Sequence, residues 1–169
     1  MQNGGEYNLG LRFFEFGEHT RKHRSIHEVA KPEVRELAEK TGELSSLLVE
    51  EHGWGIYLHR EYGENSLTLD TKIGTRVHLH NTALGKAILA FLLENKVERI
   101  ISTRGLPITG PNTINTEEAL YERLETVREK GYAVDMEERT SGVRCIAAPV
   151  QVQVGTVKGA VSIAGPKVA

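Results

Sequence analysis

One cysteine, Cys145, is all this chain offers for cross-linking. A single thiol rules out an internal disulfide and any multi-cysteine zinc centre, and it fits a reducing, cytoplasmic compartment. No stretch approaches the roughly 20 apolar residues of a membrane-spanning helix. The opening Met1-Gln-Asn-Gly-Gly-Glu6 has neither the charged start nor the apolar centre of a signal peptide, and it reads as an unstructured lead-in. An excess of positive charge is missing too. Lys and Arg total 21 against 23 Asp and Glu, a net charge of -2. That balance carries no electrostatic footprint for nucleic acid, so any DNA-binding role has to sit on another domain. The sequence holds no internal repeat, no low-complexity run and no linker strong enough to divide it.

What is present suffices for one ordinary globular domain: 169 residues, 39% hydrophobic and 26% charged, can bury a single core. Leu9, Leu11, Phe13, Phe14 and Phe16 fall close to helical spacing, which predicts an amphipathic helix from Leu9 to about His23. A second helix is predicted from Ser25 to Lys40, with Pro32 in its first turn or at a break and Gly42 as its stop. Leu44–Glu50 and Trp54–Arg60 are short apolar runs joined through His52-Gly53, the pattern of a hairpin. Ser66-Leu-Thr-Leu-Asp70 alternates as a half-buried strand does. A third helix is predicted over Asn81–Leu93, capped by Asn81 or Thr82, and a short helical piece over Val97–Ser102. Residues 105–113 are loop. Asn115 and Glu118 stand in capping-box spacing ahead of a helix that buries Leu120, Leu124 and Val127 and stops at Gly131. Tyr132–Glu138, Val143–Val152 and Thr156–Ala164 complete the strand candidates. Six strands and about four helices with short late connections indicate an α+β domain, a mostly antiparallel sheet with helices packed on it.

Two histidine and arginine groupings invite sharper readings. His78 and His80, two apart on a strand, would share a face and could hold a metal, but no third ligand stands at a recognisable spacing, so surface or core histidines are the plainer reading. No motif requires a metal or a cofactor. Arg21-Lys-His-Arg24 could touch DNA phosphates, yet it reads better as a solvated helix end.

Four segments carry a resemblance. His80-Asn-Thr-Ala-Leu-Gly-Lys-Ala-Ile-Leu-Ala90, Gly131-Tyr-Ala-Val-Asp-Met-Glu-Glu138, Gly142-Val-Arg-Cys-Ile-Ala-Ala-Pro-Val150 and Ser162-Ile-Ala-Gly-Pro166 are similar to signatures of IclR-family effector-binding domains. They occur in that family's order, Cys145 ten residues after Asp135 and Ser162 seventeen after Cys145. The resemblance implies a GAF-like fold with a curved antiparallel sheet. It also implies a separate N-terminal winged helix-turn-helix, with Tyr7-Asn-Leu-Gly10 resembling the end of its wing and Leu11–His23 the inter-domain helix. On that reading residues 1–24 are lead-in and linker helix, and residues 25–169 are the effector domain, trimmed at both ends. The partners implied are a small-molecule effector, DNA through the other domain, and further copies of the chain in a homodimer or tetramer.

The candidate site follows. Small residues in Thr82-Ala-Leu-Gly-Lys86 at a helix start leave backbone N–H groups free at the positive end of the dipole, a seat for a carboxylate or carbonyl. The plainer alternative is ordinary packing between helix and sheet. Lys86 is expected to be a solvated or interface cation. Alternation places Asp135 and Cys145 inward on neighbouring strands, around a turn from Glu138 to Gly142. The resemblance assigns Asp135, Cys145 and Ser162 to the lining of a ligand cavity and carries Ala83 and Leu84 to its helix side, where Gly85, without a side chain, also allows a ligand's close approach. Alternatively, Cys145 is a small buried hydrophobe and Asp135 a turn or surface carboxylate. Ala164 stands where the family often has a second serine, and Leu84 greases the cavity mouth. Together they favour an organic acid with an apolar or aromatic body over a two-carbon acid. The competing functions are a free-standing sensor and an enzyme with Cys145 as nucleophile. The latter needs a base beside Cys145 that the sequence does not place there. The exposed aromatics of Leu11–Phe16 and the apolar face of Asn81–Leu93 are the candidate assembly surfaces.

Overall fold

The computed structural model describes residues 2–3, 6–153 and 156–167. A two-residue pair, β1 (Gln2–Asn3) and β2 (Glu6–Tyr7), is antiparallel. The opening segment is therefore paired where a lead-in without structure was expected; Met1, Gly4 and Gly5 lie outside the described residues. Helix α1 (Arg12–Lys22) follows and buries none of its residues. Leu11, Phe13, Phe14 and Phe16 are all more than half exposed.

Helix α2 (Ser25–Thr41) buries His27, Ala30, Val34 and Ala38 on one stripe. Pro32 sits in its interior, neither in the first turn nor at a break. It faces solvent, where water can take the Glu28 carbonyl that loses its N–H partner, and the packed stripe holds the helix together across the gap. Gly42 ends it in the left-handed region, φ 73°.

Strands β3 (Leu44–Glu51) and β4 (Trp54–Glu61) form the predicted hairpin, turning through His52 at φ 50° and Gly53 at φ 82°. Two consecutive positive φ values suit the tight turn that matches strand twist. Ser66–Asp70 is not a strand. No neighbouring strand takes its backbone groups, and side chains anchor the segment instead: Thr71 gives its carbonyl to Arg60, and Asp70 faces Arg139. The sixth strand of the sheet is β5 (Arg76–Val77), paired with Gly55 and Ile56.

Helix α3 (Ala83–Leu89) is shorter than expected and is capped by Thr82, whose Oγ1 accepts from the Gly85 N–H at 2.9 Å. Arg128 Nε takes the Ala90 carbonyl at 2.6 Å, closing the helix early. Helix α4 (Glu94–Arg104) is longer than the piece foreseen. Helix α5 (Glu117–Lys130) is capped by Thr116 and not Asn115, with Ala119 donating to the threonine oxygen, and Gly131 closes it at φ 78°. Strands β6 (Ala133–Met136), β7 (Val143–Gln153) and β8 (Thr156–Pro166) finish the chain.

The curled six-stranded sheet is antiparallel throughout, in the order β5-β4-β3-β8-β7-β6. Five helices occur among the described residues. Helix α2 covers one face over Leu47, Val49 and Leu58. Helices α3, α4 and α5 build the main core on the other, where Leu79, Ile88, Leu120 and Leu124 are almost wholly buried. Among the described residues no helix is long and apolar enough to cross a membrane.

Candidate functional site

Register brings polar residues together on the inner face of the sheet. Asp135 on β6 pairs with Cys145 on β7, and Cys145 with Ala164 on β8. Two residues along, Ala147 pairs with Ser162, Ser162 with Ser46 on β3, and Ser46 with Arg60 on β4. Side chains two residues apart along a strand share a face, so these two rows look into the same space. The start of α3 closes over both rows, so Ala83, Leu84, Asp135, Cys145 and Ser162 surround one hollow together with Ser46, Tyr57 and Arg60. Thr82, Val143 and Ala164, with Leu69 from the loop after β4 and Arg139 and Thr140 from the turn after β6, complete it. Its free volume is about 30 Å³, room for one or two waters by that measure.

Gly85 does not line the hollow. Its amide is taken by Thr82, and a Cβ there would lie 2.1 Å from the Leu79 carbonyl oxygen, so this glycine serves a close backbone crossing. The Ala83 and Leu84 amides find no acceptor among the described residues. With seven residues, α3 is too short to add much dipole to those two donors.

Asp135 is buried, and its Oδ1 accepts the Glu138 N–H at 2.7 Å. Burial pushes its pKa up to about 6; the Glu138 N–H pulls the other way. Cys145 stays partly open to solvent. Burial of its sulfur, reinforced by the Asp135 charge, pushes the thiol up to about 12. A thiol so strongly protonated is no nucleophile at neutral pH.

Two buried cations flank this region. Lys86, expected as a solvated or interface cation, is instead fully buried and ion-paired with Glu138; Arg123 stands 3.6 Å from the same carboxylate. Desolvation lowers the Lys86 pKa, opposed by Glu138. Arg60 is 7% exposed. Its Nε donates to Ser46 Oγ at 3.1 Å, one Nη donates to the Thr71 carbonyl, and the guanidinium lies over the Tyr57 ring, 4.6 Å from its centroid. Among the described residues no carboxylate comes within ion-pair distance of Arg60. Sequence reasoning missed Arg60, Ser46, Tyr57, Leu69, Arg139 and Thr140. One signal was available: Ser46 interrupts the apolar stripe of Leu44 and Leu48 on a central strand, a polar side chain aimed at the core.

The remaining candidates lie elsewhere. His78 and His80 stand beyond β5 with ring centroids 5.6 Å apart, His78 against Trp54 and His80 on the Pro107 carbonyl at 3.1 Å. Burial drives His80 down to about 4, so it stays neutral. No group of three or more His, Cys, Asp or Glu among the described residues could hold a metal. Arg21 pairs with Glu18 at 2.8 Å and Arg24 pairs with Glu51, so that basic run is partly neutralised in place. The apolar side of α3 itself is buried against its own core, and within Asn81–Leu93 the strongly exposed apolar residue is Leu93 at its end.

Residues 18–169 match the family described as bacterial transcriptional regulator IclR C-terminal. The chain is 36% identical over 166 residues to the protein named Probable HTH-type transcriptional regulator ArcR of Halobacterium salinarum, covering 96% of this chain and 63% of that protein. It superimposes on the crystal structure of the Thermotoga maritima IclR with a TM-score of 0.87 at 31% identity, covering 98% of this chain and 67% of that one. The crystal structure of an IclR homologue from Microbacterium hydrocarbonoxydans, complexed with 4-hydroxybenzoate, gives a TM-score of 0.79 at 25% identity, over 94% and 65% of the two chains. The chain thus spans less than two thirds of the ArcR sequence.

Proposed function

The chain belongs to the IclR family of transcriptional regulators, matching its C-terminal domain, and we propose that it senses a small organic acid in the hollow under α3. The observation that carries this reading is the convergence of Asp135, Cys145 and Ser162 with the free amides of Ala83 and Leu84 on one enclosed space. Hydroxyl and carboxyl groups at its edge suit the polar end of a metabolite. Ala164, Val143 and Leu84 suit an apolar or aromatic body.

The same reading covers the whole regulator. Residues 1–24 connect this domain to a DNA-reading winged helix-turn-helix in a cytoplasmic homodimer or tetramer. The bare aromatics of α1 are the surface we assign to assembly. Effector occupancy favours one oligomer geometry over another, and DNA affinity follows from that difference.

Native mass spectrometry of protein purified gently from its host is expected to reveal a co-purified acid at one per chain. Calorimetry against hydroxybenzoates and two-carbon acids then ranks the classes. The control is Ala164→Leu, which fills the hollow and should abolish the heat of binding. Binding that survives this substitution undiminished places the ligand elsewhere and defeats the reading.

A further inference from the structure

Arg60 is a buried charge that no carboxylate among the described residues compensates. A guanidinium carries five N–H donors; Ser46 and Thr71 occupy two, and no other acceptor among the described residues takes the remaining three. It is more than nine-tenths buried, it lines the hollow, and its position over the Tyr57 ring fixes its plane. Placing such a charge out of water without a counter-ion is costly unless something else supplies the negative charge. The neutral hydroxyl of Ser46 and the carbonyl of Thr71 orient it but do not neutralise it. The second arginine of the lining, Arg139, differs: it is more exposed and faces Asp70 at 3.3 Å.

We infer that Arg60 is the specificity-determining residue of the hollow, seating the carboxylate of the effector in a forked hydrogen-bonded pair on the β4 side. This rests on the sensing role proposed above and moves the acid-reading function away from the start of α3. A carboxylate matches the planar fork of arginine, and Ser162 lies in the same cross-strand row to receive a second polar group. Asp135 lies two residues along on the same face and accepts the Glu138 N–H. It is thus placed to take a hydroxyl at the other end of the ligand. The class selected is a monocarboxylate with a hydroxyl or carbonyl group distal to the acid.

The test uses the whole chain and two matched probes, sodium acetate and acetamide, at constant ionic strength. The Nε–Hε resonance of Arg60, identified by its disappearance in Arg60→Lys, is followed by NMR together with the amides of Ala83, Leu84 and Ser162. Acetate is expected to shift Arg60 saturably, with acetamide at least roughly tenfold weaker, the scale of one charge-assisted pair. Arg60→Gln should remove that preference. If Arg60→Gln does not fold, the comparison of probes on the unaltered chain decides alone. Acetate moving the amides of Ala83, Leu84 and Ser162 with Arg60 unmoved, or acetate and acetamide acting alike, overturns the assignment and leaves the sensing role standing. 4-Hydroxybenzoate is run in parallel as a larger acid, and no saturable shift at any of these positions with either acid overturns both.

Discussion

Lys86 and Arg60 are both buried cations beside the same hollow, and their surroundings differ in one respect. Lys86 has the Glu138 carboxylate against it and Arg123 behind that carboxylate. Arg60 has only a hydroxyl, a carbonyl and an aromatic face. The first arrangement closes its charge balance inside the fold; the second leaves it open. A buried charge balanced internally holds structure, since removing either partner strands the other. One left unbalanced at the edge of a cavity is, on the inference drawn above, matched to something that arrives from outside. Cys145 lies within the field of both cations, and burial and Asp135 still outweigh them at its thiol.

The largest effect should come from breaking the closed pair. Glu138→Gln strands Lys86 and is expected to cost about 3–5 kcal/mol in urea unfolding at neutral pH. Glu138→Leu combined with Lys86→Met should recover most of it. A single substitution costing less than about 1 kcal/mol would erase the contrast between the two cations.

Asp135 sharpens it. Its folded pKa is raised, so between about 4 and 6 the folded chain holds more protons than the unfolded one, and its contribution to stability falls as pH rises through that window. Asp135→Asn keeps an acceptor for the Glu138 N–H and loses the charge. It is expected to stabilise the chain at pH 7 by roughly 2–3 kcal/mol and to flatten that decline in stability. Urea midpoints measured from pH 4 to 8 check both.

Arg60→Met should change unfolding free energy by no more than about 1 kcal/mol, because it deletes an unbalanced charge while stranding one hydroxyl and one carbonyl. A loss comparable to that of Glu138→Gln would show Arg60 to be structural after all. The smallest expected effect on the fold is at Cys145. Iodoacetamide at pH 7.5 should alkylate the native chain at least roughly tenfold more slowly than the urea-unfolded chain, followed by mass spectrometry.

Most of the fold was legible because its local signals were chemical and short-range. Gly42 and Gly131 marked helix ends, His52-Gly53 marked the hairpin, and the strand pair that sets Asp135 opposite Cys145 followed from alternation around a turn. Where reasoning failed, a distant partner decided. Ser66–Asp70 alternates like a strand, yet Thr71 and Asp70 are held by arginines from β4 and the turn after β6. Lys86 looks like any helix-surface lysine until Glu138, far along the chain, is folded onto it. Arg60 was overlooked for the same reason, since one residue in a strand does not disclose that no carboxylate will be near it. Gly85 stood in the right segment and was given the wrong task, because the Leu79 backbone it accommodates comes from a crossing that spacing does not reveal.

The tightness of the hollow has a mechanical corollary. A compartment that admits a water or two cannot take in a metabolite without parting its walls, and the walls are unequal in stiffness. The α3 side is clamped by the Gly85–Leu79 crossing and by the Lys86 ion pair. The opposite rim, where Leu69 sits, is tied to the turn after β6 by one exposed link between Asp70 and Arg139. On the sensing role proposed above, filling the hollow would displace the rim that carries Leu69, on the side of Tyr57 and the loop that returns past Ile73, sooner than the clamped helix. Tyr57 and Ile73 also border the groove under Phe13 and Phe16 of α1. On that role a guest in the interior would press toward α1, a helix that buries none of its own residues.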